Sequence, residues 1–391
     1  MFKRILRLLL TFVLMVVLLG FGTAGAPDGG LDETFTEEVR EILIKQDLAN
    51  GIYRLFTSKI EDDEYLRSVY GGAYIDRSTT ELCIFAKDID YVSSVVNSIS
   101  PSSNVYYLIA RYSYDELKNI VDSLVDSCIM LGITVLGVDE VTNCVYVHTD
   151  SENNLAVIIE WFEMHNIAPD QYRLEVSEPF RAFSTEVKGG KSFWSQPNGT
   201  SGTFGMGAKK GAAHGFVTHG HNLSVNEEIY TIINGSITKI GTVKNKQFNG
   251  TVDAVFVEFT NNVTPNRALY YGGVQTGINC TWGGLYGMAV NTYLRMQGTA
   301  TGGTIWGYVT DCSGTCSYDD AGVVKTFTDF IITDIGAQDG DSGGPLLFSE
   351  YNGSAGATTR AIGIVGGGSG SLTGFCKSSN IFTAFGLSDT Y

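Results

Sequence analysis

Gly340-Asp341-Ser342-Gly343-Gly344-Pro345, followed by apolar Leu346-Leu347-Phe348, places a serine between an aspartate and two glycines at the mouth of a buried strand. Glycine tolerates positive φ and lets another backbone come close, so such a turn can present a nucleophile with its N–H groups exposed. The N–H groups of Gly340 and Ser342 can then receive a developing oxyanion, each donor contributing roughly 3–4 kcal/mol in the transition state. A serine does not attack unaided; it needs a histidine base and a carboxylate to orient that base. By itself the hexapeptide also fits a glycine-rich hairpin with a solvated serine, so its partners decide.

The half of the chain around Ser342 holds three histidines, His214, His219 and His221. His221 ends Gly215-Phe216-Val217-Thr218-His219-Gly220-His221, an apolar strand that breaks at a glycine. A strand end is where site residues gather on a rigid scaffold, although a solvated turn histidine fits there too. His219 and His221 alternate and can share a strand face around a metal. Two imidazoles without a third ligand are a weak metal set, and no metal or cofactor is expected. For the carboxylate, Asp253 stands just before apolar Ala254-Val255-Phe256-Val257. A carboxylate at that position is partly buried and needs a partner, which a histidine Nδ1–H supplies; a simple strand-start turn is the alternative. Glu258, within the strand, ranks below it.

These residues need a rigid frame, and the composition points to one. The chain has 391 residues, 47 of them glycine, and only 17% are charged. That suits a folded, turn-rich, mostly β protein of two or three domains. The net charge of −16 is uneven: residues 27–186 carry a balance of −18 and residues 187–391 a balance of −1. Two folding units with different fates are implied, and the lack of a basic stripe argues against nucleic acid. Lys3, Arg4 and Arg7 precede the apolar run from Leu8 to Phe21, and small residues follow to Ala26. This is the order of a secretory signal peptide, 1–26, cut near Ala24 or Ala26; an uncleaved anchor is the rival reading, although the run is short for a spanning helix.

From about residue 33 the pattern is helical and acidic. Thr34 with Glu37, and Ser113 with Glu116, form capping boxes ahead of helices, with Gly132 placed to stop the second. A strand over Cys144 to His148 and a helix from Leu155 to Ile167 complete a small α+β domain over 27–186. His148 and His165 are lone packing or surface residues. After Val187 short β-type runs recur between Gly and Asn turns: 212–218, 229–233, 254–259, 288–296, 304–309, 323–332, 346–348 and 361–365. Many short strands read as a sandwich or barrel, and 187–391 is long enough for two small barrels.

The order His221, Asp253, Ser342, with Thr218-His219-Gly220-His221 and Gly340–Pro345, resembles the chymotrypsin-fold serine peptidases, and within them the secreted bacterial streptogrisin and alpha-lytic protease branch. Asp253–Val257, the hairpin from Met296 to Gly302 and Ala361 to Gly370 are similar to that branch. Val187-Lys188-Gly189-Gly190 falls where its mature enzyme begins. The acidic region, notably Ala110–Leu117 and Gly137–Asn143, resembles its folding pro-domain. The resemblance implies an α+β pro-domain followed by an all-β double six-stranded barrel. It implies His221 as general base and acid, Asp253 as its orienting carboxylate and Ser342 as nucleophile, with Gly340 and Ser342 N–H groups as the oxyanion hole. Val365, Gly366 and Gly367 would pair with substrate backbone, and Gly336 and Ala337 would floor an uncharged, apolar-selecting pocket, with Asp334 and Asp339 close by. Asp341 would meet a new N-terminus or a buried cation.

Two positions depart from that branch. Asn222 stands where many relatives have a disulfide cysteine. Gly366 stands where relatives usually have a serine bonded to the triad aspartate, and an unfilled buried acceptor there would cost about 1–3 kcal/mol. Of the seven cysteines, Cys280, Cys312, Cys316 and Cys376 lie in the C-terminal half. Export favours disulfides over zinc; four cysteines allow three pairings, with Cys312–Cys316 the local one, leaving Cys280 for Cys376. Cys83, Cys128 and Cys144 are an odd set in a disposable segment. Asn222-Leu223-Ser224 beside the expected base argues mildly for a bacterial host, where no glycan would crowd it. The expectation is a secreted, monomeric serine endopeptidase made as a zymogen, whose substrates are proteins or peptides and whose pro-domain is both folding helper and inhibitor. A catalytically impaired binding protein on the same fold is the alternative. An esterase of the strand–Gly-x-Ser-x-Gly–helix kind lacks its signature.

Overall fold

A computed structural model describes residues 36–388 apart from 102–103, 178–180, 183–191, 197–198, 234–235, 261–262, 264–267, 272–273, 284–286, 321–322, 352–356 and 370. The leader expected over 1–26, the Thr34 cap and the processing region around Val187 lie outside these residues. Among the described residues no helix is long and apolar enough to cross a membrane.

The N-terminal region is α+β, as its periodicity implies. Its first helix, Glu37–Asp62, is capped by Thr36, whose hydroxyl accepts from the Val39 N–H. Ser113 and Glu116 form the expected capping box on the helix Tyr114–Val125. That helix ends before Gly132, which instead closes a separate four-residue turn of helix, Cys128–Leu131, at φ 65°. Two small three-stranded layers back these helices. Tyr70–Ile75, Leu82–Ala86 and Val105–Ile109 form one, and Ile133–Asp139, Cys144–Thr149 and Tyr172–Val176 the other. The helix Glu152–Met164 packs Ile158, Trp161 and Phe162 onto the second layer.

The C-terminal half is all-β until a last helix, Ser378–Phe385. Its first sheet runs in the order Gly207–Lys210, Ala213–Thr218, Val252–Phe259, Ser236–Asn249, Glu228–Ile233, Ser192–Gln196, Ser201–Thr203. The two edge strands, Ser201–Thr203 and Gly207–Lys210, are consecutive in the chain and separated only by 204–206. The sheet therefore curls until its edges meet, around Phe193, Phe216, Leu223, Ile229, Val243, Val255 and Val257. The second sheet closes outright. Ala357–Ser369 pairs with Pro345–Tyr351, then follow Tyr293–Gly298, Gly303–Asp320, Val323–Thr333 and Leu372–Lys377, which returns to Ala357–Ser369; all six pairings are antiparallel. The expected helical region followed by two β-barrels is thus present, with a seventh short strand on the first barrel.

The long strand Gly303–Asp320 joins the two regions, because Thr315 and Cys316 pair antiparallel with Leu136 and Val135. A second contact is polar. The Glu37–Asp62 helix turns Gln46 and Asn50 inward, where Gln46 Oε1 accepts from Tyr293 N (2.8 Å) and Asn50 Oδ1 from Ala289 N (3.0 Å). Residues 288–292, expected as strand, instead meet the N-terminal region, with Ile75 N donating to Val290 O at 2.8 Å. The strand proper begins at Tyr293.

The local Cys312–Cys316 disulfide is not present: both thiols are free, as is that of Cys376. The reason is geometric. Four residues of strand span roughly 13 Å, whereas bridged cysteines need Cα atoms within about 7 Å. Cys312 Sγ donates to Met288 O at 3.1 Å, while Cys316 and Cys376 are buried in the main apolar core. The side chain of Cys280 lies outside the described residues.

Candidate active site

His221 follows the buried strand Ala213–Thr218, and the break after Thr218 is where two backbones touch. A Cβ on Gly220 would lie 2.7 Å from Ala254 N. Only glycine lets this turn come so near the next strand, and the approach delivers the N–H groups of Gly220 and His221 to Asp253 Oδ1 at 2.7 and 2.9 Å. Asp253 enters its strand from the first barrel, at the face where the two barrels meet, while Ser342 belongs to the second. The geometry brings the three sequence candidates together: His221 Nδ1 lies 2.7 Å from Asp253 Oδ2, and His221 Nε2 lies 3.0 Å from Ser342 Oγ. All three residues are fully buried. With Nδ1–H donating to Asp253, Nε2 is left to accept the Ser342 proton.

Asp253 is held by four donors, since Tyr318 OH also donates to Oδ2, at 2.5 Å. Burial pushes the Asp253 carboxyl upward, but the charge and hydrogen bond of His221 and the Tyr318 hydroxyl outweigh it and hold it below the usual carboxylate range. Burial keeps the Tyr318 phenol well above its ordinary range, so it stays a neutral donor. The acceptor that a glycine at 366 leaves open is therefore filled by a donor from another strand. Sequence reasoning missed Tyr318; its one signal is general, that a tyrosine in a buried strand must find a partner for its hydroxyl.

The Ser342 turn is pinned on every side. Gly344 N donates to Asp341 O and Gly343 N to Val365 O, while Thr203 N donates to Ser342 O. Gly340 and Gly343 have φ of 101° and 84°. A Cβ on Gly343 would fall 1.9 Å from Thr218 Oγ1, so glycine is required there both by conformation and by space. The Asp341 carboxylate accepts from the backbone N–H groups of Ala300 (2.8 Å), Thr301 (3.1 Å) and Gln338 (3.0 Å). The hairpin from Met296 to Gly302 thus supports the turn through its backbone.

His219 is a neighbour rather than a second ligand. Its ring lies 4.3 Å from that of His221 and stacks on Phe193 at 5.6 Å. Burial, and then the nearby His221, push its imidazole well below the ordinary range. Both His221 nitrogens are already engaged by Asp253 and Ser342, so the alternating pair is not arranged around a metal. His148 and His165 pack in the N-terminal region, His165 stacked on Trp161. Of the residues near the expected pocket floor, Asp334 is taken up by Arg77 Nη2 at 3.0 Å and by Tyr308 N. Ala337 N donates to Thr373 Oγ1 at 3.2 Å, and the Ala337 side chain packs on the second barrel's core. Val365, Gly366 and Gly367 lie at a register shift in the strand Ala357–Ser369, next to the Ser342 turn. Backbone from the N-terminal region is already paired here: Gly367 and Gly368 pair antiparallel with Ala182 and Arg181.

No family model matches the chain, and no curated protein matches it. Among solved structures it is similar to Thermobifida fusca Protease A (25% identity, TM-score 0.41), covering 52% of this chain and 97% of that one. It is also similar to a Cellulomonas bogoriensis chymotrypsin (25% identity, 52% and 97% covered, TM-score 0.39) and to an alpha-lytic protease homolog, N4 (18% identity, 52% and 98% covered, TM-score 0.36).

Proposed function

We propose that the protein is a secreted serine endopeptidase made as a zymogen. One observation carries the reading: a buried serine hydroxyl, imidazole and carboxylate lie in a single hydrogen-bonded line, 3.0 and 2.7 Å apart. Such a line moves one proton. Ser342 Oγ attacks a peptide carbonyl carbon while His221 Nε2 takes its proton; Asp253 orients the ring and stabilises the imidazolium. The N–H groups of Gly340 and Ser342 receive the oxyanion. On collapse His221 passes the proton to the leaving amine, and the same groups then activate water to release the acyl chain.

Substrate would add as a strand beside Val365, Gly366 and Gly367, with Gly336 and Ala337 flooring a pocket for uncharged side chains. The pairing of Arg181 and Ala182 with this strand supports an inhibitory role for residues 27–186, since the chain ahead of the expected processing region lies where substrate would. A folding role has a physical basis as well: a protein of many non-local strand pairings folds slowly, and the Ile133–Asp139 strand offers a template edge to Gly303–Asp320. The hydrogen bonds that the Gly220–His221 turn and Tyr318 give Asp253 support the catalytic reading over a non-catalytic relative, which was suggested by Gly366.

The test is the precursor with Ser342→Ala beside the wild type. The wild type should shorten itself, with a new N-terminus between 183 and 191, and digest unstructured protein; the variant should stay full length with activity reduced about 10⁶-fold. Equal processing and hydrolysis by both would overturn the assignment.

A further inference from the structure

We infer that Tyr318 is the positioning residue that completes the Asp253 carboxylate, and that Gly366 is glycine because the Tyr318 hydroxyl occupies the space its side chain would need. This rests on the serine peptidase reading above. Tyr318 is almost wholly buried. Its ring is clamped by stacking on Phe327, with centroids 4.7 Å apart and planes 14° apart, and it meets the His221 ring edge-on at 6.4 Å. Its hydroxyl is thereby fixed on Asp253 Oδ2, the oxygen that also takes His221 Nδ1–H. The other oxygen is filled by two backbone N–H groups from the Gly220–His221 turn.

The space around residue 366 points the same way. A Cβ at position 366 would lie 3.0 Å from Phe330 Cε2, 3.2 Å from the Tyr318 hydroxyl and 3.4 Å from Asp253 Oδ2. A serine there would aim its hydroxyl at an acceptor that Tyr318 already holds, with its Cβ crowded on the Phe330 side. The two hydroxyls would compete for one oxygen, with Phe330 and the Tyr318 hydroxyl each having to give by a few tenths of an ångström to admit the serine. The triad carboxylate is supplied here by a phenol from the strand Gly303–Asp320 in place of a hydroxyl from Ala357–Ser369. Without that phenol, the imidazole is the one donor to Oδ2 among the described residues. The ring is then less well fixed, and the more basic carboxylate holds the imidazolium more strongly.

The experiment uses the full-length chain after self-processing, with reactive serines titrated by a fluorophosphonate so that rates are given per competent site. Tyr318→Phe should lower kcat/KM roughly 10- to 100-fold, as expected for a lost hydrogen bond to a buried charge, mainly through kcat. The acidic limb of its pH–rate profile should move to higher pH. Gly366→Ser should reduce activity when Tyr318 is present but restore it in the Tyr318→Phe background, where the hydroxyl space is open. A merely structural tyrosine would not produce that reversal of sign. If Tyr318→Phe does not fold, recovery of folding and activity in Tyr318→Phe/Gly366→Ser supports the exchange, and failure of that pair overturns it. A folded Tyr318→Phe enzyme with unchanged rate and pH profile also overturns it, provided Ser342→Ala is inert. Activity surviving in Ser342→Ala would instead refute the peptidase reading beneath it.

Discussion

Glu140 sits at the seam between the N-terminal region and the second barrel, and it makes the stability of the full-length chain depend on pH. Burial, together with the negative charges of Asp311 and Asp139, raises its carboxyl from an ordinary 4.5 to about 8, although Ala73 N and Tyr70 OH donate to it. Around it stand Tyr53, Tyr70 and Tyr114, whose phenols burial lifts well above their usual range, Cys312, and Asp311, which burial raises to about 6. The proton is bound more tightly in the folded than in the unfolded chain. Glu140 therefore stabilises the fold fully below about pH 4.5 and loses that contribution as pH rises through 8. At about 1.36 kcal/mol for each pH unit of difference, the loss is about 3 kcal/mol by pH 7 and about 5 kcal/mol above pH 8. Glu140→Gln has the shape of the protonated acid and cannot ionise. In the Ser342→Ala background, denaturant unfolding followed by tryptophan fluorescence should place the full-length chains with and without Glu140→Gln within about 1 kcal/mol of each other at pH 5. At pH 9 the Glu140→Gln variant should be the more stable by about 5 kcal/mol. Parallel pH dependences for the full-length chains with and without Glu140→Gln would show that the carboxyl is not held neutral.

Other substitutions test separate parts of the structure. Asn50→Ala strands the buried Ala289 N–H and should cost the same full-length Ser342→Ala chain about 1–3 kcal/mol in denaturant unfolding. Gly343→Ala drives a Cβ into Thr218 Oγ1 at a φ of 84°; it should abolish fluorophosphonate labelling of Ser342, or leave the chain insoluble. Because Cys312, Cys316 and Cys376 are free, all three should alkylate in denaturant without prior reduction, as read by mass spectrometry of the digested protein, and reductant should leave the unfolding midpoint unchanged.

Much of the candidate site could be read from the chain because each part carries a local signature. Ser342 is marked by its glycines, which the turn requires through positive φ and close packing. Asp253 precedes an apolar strand, so partial burial and a need for a partner followed from its neighbours, whereas His221 was marked by its place at the end of another. The Ser113–Glu116 cap is local in the same way, its two bonds spanning three residues. Strand extents were less legible where bulges interrupt alternation. The strand Gly303–Asp320 carries three register shifts against its partner, and polar Asp311, Ser313 and Thr315 broke the apolar pattern to which a reader would extend it. The helix Ser378–Phe385 was also missed, lying after a buried strand without a side-chain N-cap.

What remained hidden depends on chain segments far apart in sequence. The donor that completes Asp253 comes from 65 residues away, and the partners of Asp341 from a hairpin about 40 residues away. Nothing local marks Gln46 and Asn50, whose backbone partners, the strand start at Tyr293 and the segment before it, lie more than 230 residues distant. Residue types and their local order determined which groups can exchange a proton and which turns can hold them. Only tertiary closure decided how each buried polar atom is satisfied, because an unpaired donor or acceptor is costly wherever it lies and its partner is chosen by proximity in space.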